Sequence, residues 1–487
     1  MRTFRLPLTL SAVLAVVVSS LTLASPMTSA AAAGFCSPGA SFTGTTITWT
    51  GKAHSSSWDD AKNWSPKTVP DVSHTKATYA NQYVCIGTAT NNKPAVVTIS
   101  KNKSEHIAGI DVGSGAQLTV PLGSGLFLGA KPGDTVQPSF VRSGSQLLLA
   151  AGTLGGNSPV TVSGTLRWTG GKSGKHKTVA TQTSSECAFD PSISACPGDT
   201  VPGGGKTIVA ASGTLLVDGT SFGGAALGDG RVVDNFGTLR IVHNGFIAME
   251  GGTQLIDEHG SSLALDGPGG IYQTGKGNAA LTQHGSITKD GTGLSVVGVP
   301  VKFGKKAPHI RVRHGGLSLQ RNDVPKAKVH RAGMYGVGGC TEAPNQFCRR
   351  PNATKSAPQV VTIGASTESA APSNSKFAVA LAKGPAKVHG HPVLGRAAVV
   401  KAPTAKTTHS THLTFSFDAT TKGLPHGTNA PVYRNKHKIT VCHVHGLTAK
   451  NTSCVLSEAV GHGAGQKHDL TVIVISIQPK ATWLVAK

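Results

Sequence analysis

The residues able to do chemistry fall into four groups: spaced carboxylates, paired histidines, eight cysteines and clustered tryptophans. Asp218, Asp229, Asp234 and Asp257 recur along a repetitive stretch and could cluster on one face. Two carboxyls facing each other across one bond are the minimum for glycoside cleavage. A carboxylate-and-calcium lyase site is the best catalytic reading. Against it, three of the four occupy turn-like contexts, where Asp bonds backbone amides, and with so few acids a calcium site is hard to build. His389-Gly-His391 and His443-Val-His445 each set two imidazoles on one side of a strand, a geometry that suits a metal. Neither pair has a third ligand in view, so no metal and no cofactor is expected.

The cysteines contain no Cys-x-x-Cys, which argues against zinc. Eight cysteines allow about 105 pairings. Local pairing is expected: Cys36–Cys85, Cys187–Cys196, Cys340–Cys348 and Cys442–Cys454. The last three would close short loops, each stabilising by roughly 2–3 kcal/mol if unstrained. Such a framework belongs to an oxidising compartment.

These groups need elements to position them, and the clearest signal is a repeat. Gly213-Thr-Leu-Leu-Val217 returns as Gly237-Thr-Leu-Arg-Ile241, as Gly260-Ser-Ser-Leu-Ala-Leu265 and as Gly285-Ser-Ile-Thr288, at intervals of 24, 23 and 25 residues. A glycine before a short alternating strand, at a fixed period, is the mark of a solenoid whose turns bury inward side chains against their neighbours. Leu215, Val217, Leu239, Ile241, Leu263 and Leu265 are the expected inward positions. Glycine is expected because solenoid corners need unusual backbone angles. The alternative is an antiparallel, glycine-rich β-protein with accidental repetition. The polygalacturonase pattern of such solenoids does not assemble here: Asp59-Asp60 and Gly461-His462-Gly463 lie in distant segments, and no Asn-Thr-Asp occurs.

Residues 1–33 read as a signal peptide. Arg2 and Arg5 precede an apolar stretch from Leu8 to Leu23, followed by small residues from Ser29 to Ala33. No later run is long enough to span a bilayer as a helix. Residues 34–110 are expected to hold an N-terminal cap and the first strands. Residues 111–320 are the parallel β-helix, with 172–205 as a loop insertion. Residues 321–357 form a disulfide-clipped cap or linker, and 358–487 a C-terminal β-sandwich.

Trp49-Thr-Gly51, Ser57-Trp58-Asp59-Asp60, Asn63-Trp64 and Val69-Pro70-Asp71 form the most distinctive wording. Together they resemble the motif that opens many secreted bacterial β-helix proteins, adhesin-like and autotransporter-like ones among them. The resemblance implies that Trp49, Trp58, Asn63, Trp64 and Pro70 plug the open end of the solenoid, where bare strand edges invite aggregation. Sugar stacking on Trp58 and Trp64 is the alternative role. Leu413-Thr-Phe-Ser-Phe-Asp418, Val432-Tyr433-Arg434-Asn435, Cys442 with Cys454, Asp469-Leu-Thr-Val472 and Trp483 look like a β-sandwich module of secreted actinobacterial proteins. That likeness implies location and fold, and no activity.

The chain carries 46 Lys and Arg against 23 Asp and Glu. The excess is concentrated: from Pro300 onward there are 26 basic and 6 acidic residues, with 13 of the 20 histidines. A near-neutral solenoid with a cationic tail suggests attraction to a polyanion. The alternative is a solvated surface with no partner. Aromatic residues are sparse in the tail, so a stacking single-strand reader is not expected. The expectation is an all-β protein: a right-handed parallel β-helix followed by a small Ig-like β-sandwich. It would be secreted, monomeric and without a membrane span or sequence-specific nucleic acid. Its function would be binding or structural, adhesin-like, on an anionic cell-envelope polymer or polysaccharide. A polysaccharide-degrading enzyme is the alternative, and convergence of acids from adjacent turns would discriminate the two.

Overall fold

The computed structural model describes residues 35–70, 81–88, 93–129, 136–169, 205–219, 224–228, 230–249, 252–273, 279–305, 308–319, 327–337, 359–365, 376–405, 410–417, 430–442, 447, 451–461 and 469–486. Among them every regular element is a strand, except one short 3-10 turn at Ala61–Asn63. No helix among them is long and apolar enough to cross a membrane.

The chain winds through three faces of parallel strands. Val232–Asn235, Thr238–Val242 and Phe246–Met249 make one turn, one strand per face. Gln254–Asp257, Ser262–Asp266 and Gly270–Gln273 make the next, and each strand pairs in parallel with its counterpart in the turn before. The first face runs in this way from Thr45–Trp49 to Val301–Phe303. The second runs from Val96–Thr98 to His309–Leu319. Parallel sheets stacked like this are consistent with a β-helix or solenoid-like fold. Parallel pairing starts at Thr45, well before residue 111, so cap and stack overlap in sequence.

Period-two alternation explains why the strands stack. On the second face Leu118, Leu147, Leu166, Leu215, Leu239, Leu263, Ile287 and Ile310 stand in register, all buried. Each such side chain contributes roughly 1.5–3 kcal/mol by leaving water. A one-residue slip would turn the whole row outward, so the row also sets register. The glycines before these strands serve a different purpose from the one expected. Of the four in the repeat, only Gly260 has a positive φ, 87°. At Gly213 a Cβ would lie 1.9 Å from the carbonyl oxygen of Val162, and at Gly237 2.2 Å from that of Ala210. The need is close approach of successive turns, not a left-handed backbone.

The expected insertion at 172–205 lies almost wholly outside the described residues, but the strands around it keep their register. Val160–Val162 pairs with Lys206–Val209, and Thr165–Thr169 with Thr214–Asp218. Ala327–Val337 falls inside the expected cap or linker and instead forms an eleven-residue strand. It pairs in parallel with His309–Leu319 and antiparallel with Gln359–Ala365 and Lys376–Ala382, so the parallel stack passes to antiparallel sheets on this strand. One sheet joins Gln359–Ala365, Thr411–Phe417, Asp469–Ser476 and Ser453–Gly461. The other joins Lys376–Ala382, His391–Lys401, Ala481–Ala486 and Val432–Arg434. Phe415, Val472 and Val474 from the first share one core with Val400, Trp483 and Val485 from the second.

Among the described residues two disulfides are formed, Cys36–Cys85 with Cα atoms 5.4 Å apart and Cys442–Cys454 with 4.9 Å. They fit an oxidising compartment. Cys187, Cys196, Cys340 and Cys348 lie outside the described residues.

Candidate functional site

The tryptophan cluster sits at the start of the stack. Trp49 ends the first strand and pairs with Trp64 on a short antiparallel strand at the sheet's edge. Trp64 stands edge-on to both Trp49 and Trp58, with ring centroids 4.8 and 5.0 Å away. Two of the indoles are satisfied: that of Trp64 donates to the Trp58 carbonyl at 2.7 Å, and that of Trp58 to the Pro70 carbonyl at 3.2 Å. Asn63 is the centre of the arrangement. Its amide donates to Ser55 and to the Ser57 carbonyl, and its side-chain oxygen accepts from the Ala53 N–H at 2.9 Å. All four side chains are buried, so no face of these three tryptophans is open for a sugar. The neighbouring acids are structural too. Asp60 caps the 3-10 turn by accepting from Lys62 N, and Asp59 pairs with Lys103 and Ser100.

The three candidate catalytic carboxylates among the described residues do not converge. Asp218 is on the second face, bonded to Arg167 at 2.7 Å and His243 at 2.9 Å. Asp234 is on the first face, paired with Lys206. Asp257 points into the stack, where it accepts from the amides of Asn235 and Gln283. Asp229 lies outside the described residues. No group of three His, Cys, Asp or Glu side chains among the described residues is placed to hold a metal. His389 and His391 share no strand face, because His389 occupies a turn. His443 and His445 lie outside the described residues.

Asn235, Asp257 and Gln283 form a buried polar ladder, in register on three successive turns. It continues a column of Val112, Val141, Val162 and Val209. Burial pushes the Asp257 carboxyl above the usual range, against the opposing effect of its hydrogen bonds. The sequence offers Asp257 as a candidate catalytic carboxylate, not as a rung of a buried ladder. The signal was the phase: Val233-x-Asn235, Leu255-x-Asp257 and Leu281-x-Gln283 repeat the inward alternation. Lys289 is a second inward polar residue, between Leu265 and Val312 in register. Its ammonium donates to the carbonyls of Asp290 and Gly291 at 2.7 and 2.9 Å, and burial lowers its pKa to about 8. Arg231 stands inside a corner of the stack, its Nε bonded to Thr207 at 3.1 Å and its pKa lowered by burial to about 10.

The outward side of the second face is the most regular surface. Thr165, Thr214, Thr238, Ser262 and Ser286 occupy one in-register row, all half-buried. Parallel strands lie about 4.8 Å apart, so the hydroxyls form a straight ladder along the stack. Ser262 and Thr238 are within 3.5 Å of each other. The opposite edge of the face carries a repeated diagonal pair: Arg167 Nη2 reaches Asp218 on the next strand, and Arg240 Nε reaches Asp266 across the same register offset at 2.5 Å. Asp290 extends the edge, holding His314 at 2.6 Å and Arg313 at 3.5 Å, and the His314 bond draws its carboxyl below the usual range. The arrangement offers hydrogen-bond donors and acceptors at a fixed spacing along one axis.

No family model matches the chain, and no curated protein or solved structure matches it either.

Proposed function

We propose that the chain is a secreted, extracellular or cell-surface binding protein, adhesin-like in character, that contacts polysaccharide along the second face of its stack. On this reading the parallel strands are a right-handed β-helix, the tryptophan cluster plugs its first turn, and the antiparallel sheets form an Ig-like sandwich that engages anionic envelope. The protein would act as a monomer. The observation that carries the proposal is the hydroxyl row from Thr165 to Ser286 beside the Arg167–Asp218 and Arg240–Asp266 pairs. A polyhydroxylated chain laid along the stack would meet matching donors and acceptors at each turn. The dispersal of Asp218, Asp234 and Asp257 over separate faces and the interior supports binding over glycoside cleavage, which needs two carboxyls across one bond.

The test is a binding screen of the mature chain against cell-wall and environmental polysaccharides. The triple variant Thr214→Val, Thr238→Val, Ser262→Ala is expected to lose about tenfold or more in affinity, roughly 1.4 kcal/mol, without a matching loss of thermal stability. Turnover of pectin or alginate that disappears in Asp234→Asn would overturn the proposal in favour of an enzyme.

A further inference from the structure

Two β-hairpins in the C-terminal sheets end in turns built alike. Val388 pairs with His391 around His389 and Gly390, whose φ angles are 47° and 85°. Arg434 pairs with His437 around Asn435 and Lys436, at 48° and 69°. Both are two-residue turns with left-handed backbone at each central position, the geometry that suits hairpin twist and favours Asn-Gly. The first turn places glycine at its second position. The other places Lys436 there, where a Cβ is strained. Residues held in such conformations cluster at functional sites.

The two tips are fixed side by side. His389 Nε2–H donates to the carbonyl of Lys436 at 2.7 Å, and its ring stacks on Tyr433 with centroids 5.7 Å apart. Together they expose Lys387, His389, His391, Lys436, His437 and Lys438. Between Glu368 and Glu458 the sequence holds a single acid, Asp418, and no carboxylate pairs with the three lysines among the described residues. Like charges on adjoining hairpins repel one another unless an anion lies across them.

We propose that the paired tips are a docking site for an acidic polysaccharide, a chain bearing repeated carboxylates. This rests on the reading of the protein as an extracellular polysaccharide binder. The charges sit on the exposed turns and on the short strands that flank them, which suits an extended polymer, and lysine ammoniums act as hydrated point charges on such a chain. Tyr433, the aromatic residue of the tips, is buried beneath His389. The exposed rings of the tips are imidazoles, and no phenol or indole face there is open to a nucleic-acid base among the described residues.

Binding of the full mature chain to polygalacturonate of defined length tests the site, with neutral dextran and duplex DNA of equal charge as controls. The double variant Lys387→Ala, Lys438→Ala is expected to bind polygalacturonate about tenfold more weakly. The slope of log affinity against log salt should fall by about one for each lysine removed. Lys436→Gly is the sharper probe. It relieves the left-handed lysine, so it should raise the melting temperature while lowering affinity. Unchanged affinity and salt slope in both variants would overturn the site, as would tighter binding to DNA than to polygalacturonate. If the tip variants bind glycans like the parent, the site fails and the polysaccharide-binding reading stands. If the parent binds no glycan, both fail.

Discussion

Asp257 shows how a single inward side chain couples this fold to pH. Its carboxylate receives two amide donors, from Asn235 and Gln283, yet burial still raises its pKa. The native state therefore holds this proton more tightly than the unfolded chain does. Stability falls as pH rises from the ordinary carboxylate range near ~3.9 through the raised value, and the penalty persists above it. Asp257→Asn removes the charge and keeps the shape. The side-chain oxygen of Gln283 has no hydrogen-bond partner among the described residues, so a flip of that amide would let it accept from the new one and close an uncharged ladder. The variant is expected to be about 1 kcal/mol or more stabler than the parent near neutral pH, and equal or weaker in acid. Urea unfolding from about pH 3 to about pH 8 measures the difference between the two curves. A difference that does not change with pH would show that this carboxyl contributes no linkage.

At the scale of the element, the N-terminal cluster resembles a knot of backbone bonds more than a patch of aromatic surface. Asn63 ties Ala53, Ser55 and Ser57 together through its side chain, while its carbonyl accepts from Thr50 and Gly51. Removing the amide breaks these part-buried bonds, each contributing roughly 0.5–1.5 kcal/mol net. Asn63→Ala is expected to destabilise the protein by about 2–4 kcal/mol. It should also increase aggregation, because the edge covered by Trp64 and Ser65 would loosen. Differential scanning calorimetry with light scattering reads both effects; a loss of stability without aggregation would argue that the cluster does not guard the edge. Much of this organisation was legible in the sequence. Three tryptophans, an asparagine and a proline in so short a span left few roles other than packing, and the glycine-spaced strands announced their own register. The polar ladder was not legible in the same way. A four-residue strand offers only two inward positions, so one amide or acid among them looks like a turn residue. Only pairing with the turns on either side reveals the phase. The lysine in the left-handed turn was equally hidden, since Asn-Lys carries no strong turn signal while Asn-Gly does.

For the whole molecule, the parallel stack predicts a particular kind of cooperativity. Each turn touches only the turns beside it, so stability is a sum of local terms and neighbour interfaces. Among the described residues, the antiparallel sheets pair with the stack through Ala327–Val337, which lies several turns away from Thr238–Val242. Leu239 is fully buried in the middle of the leucine row, between Leu215 and Leu263. Leu239→Ala removes its packing and leaves a cavity, at a cost of roughly 2–5 kcal/mol. In a domain that unfolds as one unit, that loss would lower protection from hydrogen exchange everywhere. In a stack it should act locally. Exchange is expected to speed up in Thr214–Asp218, Thr238–Val242 and Ser262–Asp266, and to stay near the parent rate in Thr411–Phe417 and Asp469–Ser476. Native-state exchange followed peptide by peptide makes the comparison. Equal acceleration in both regions would mean that the strand at the junction transmits the full cost, and the two halves of the molecule would then have to be treated as one folding unit.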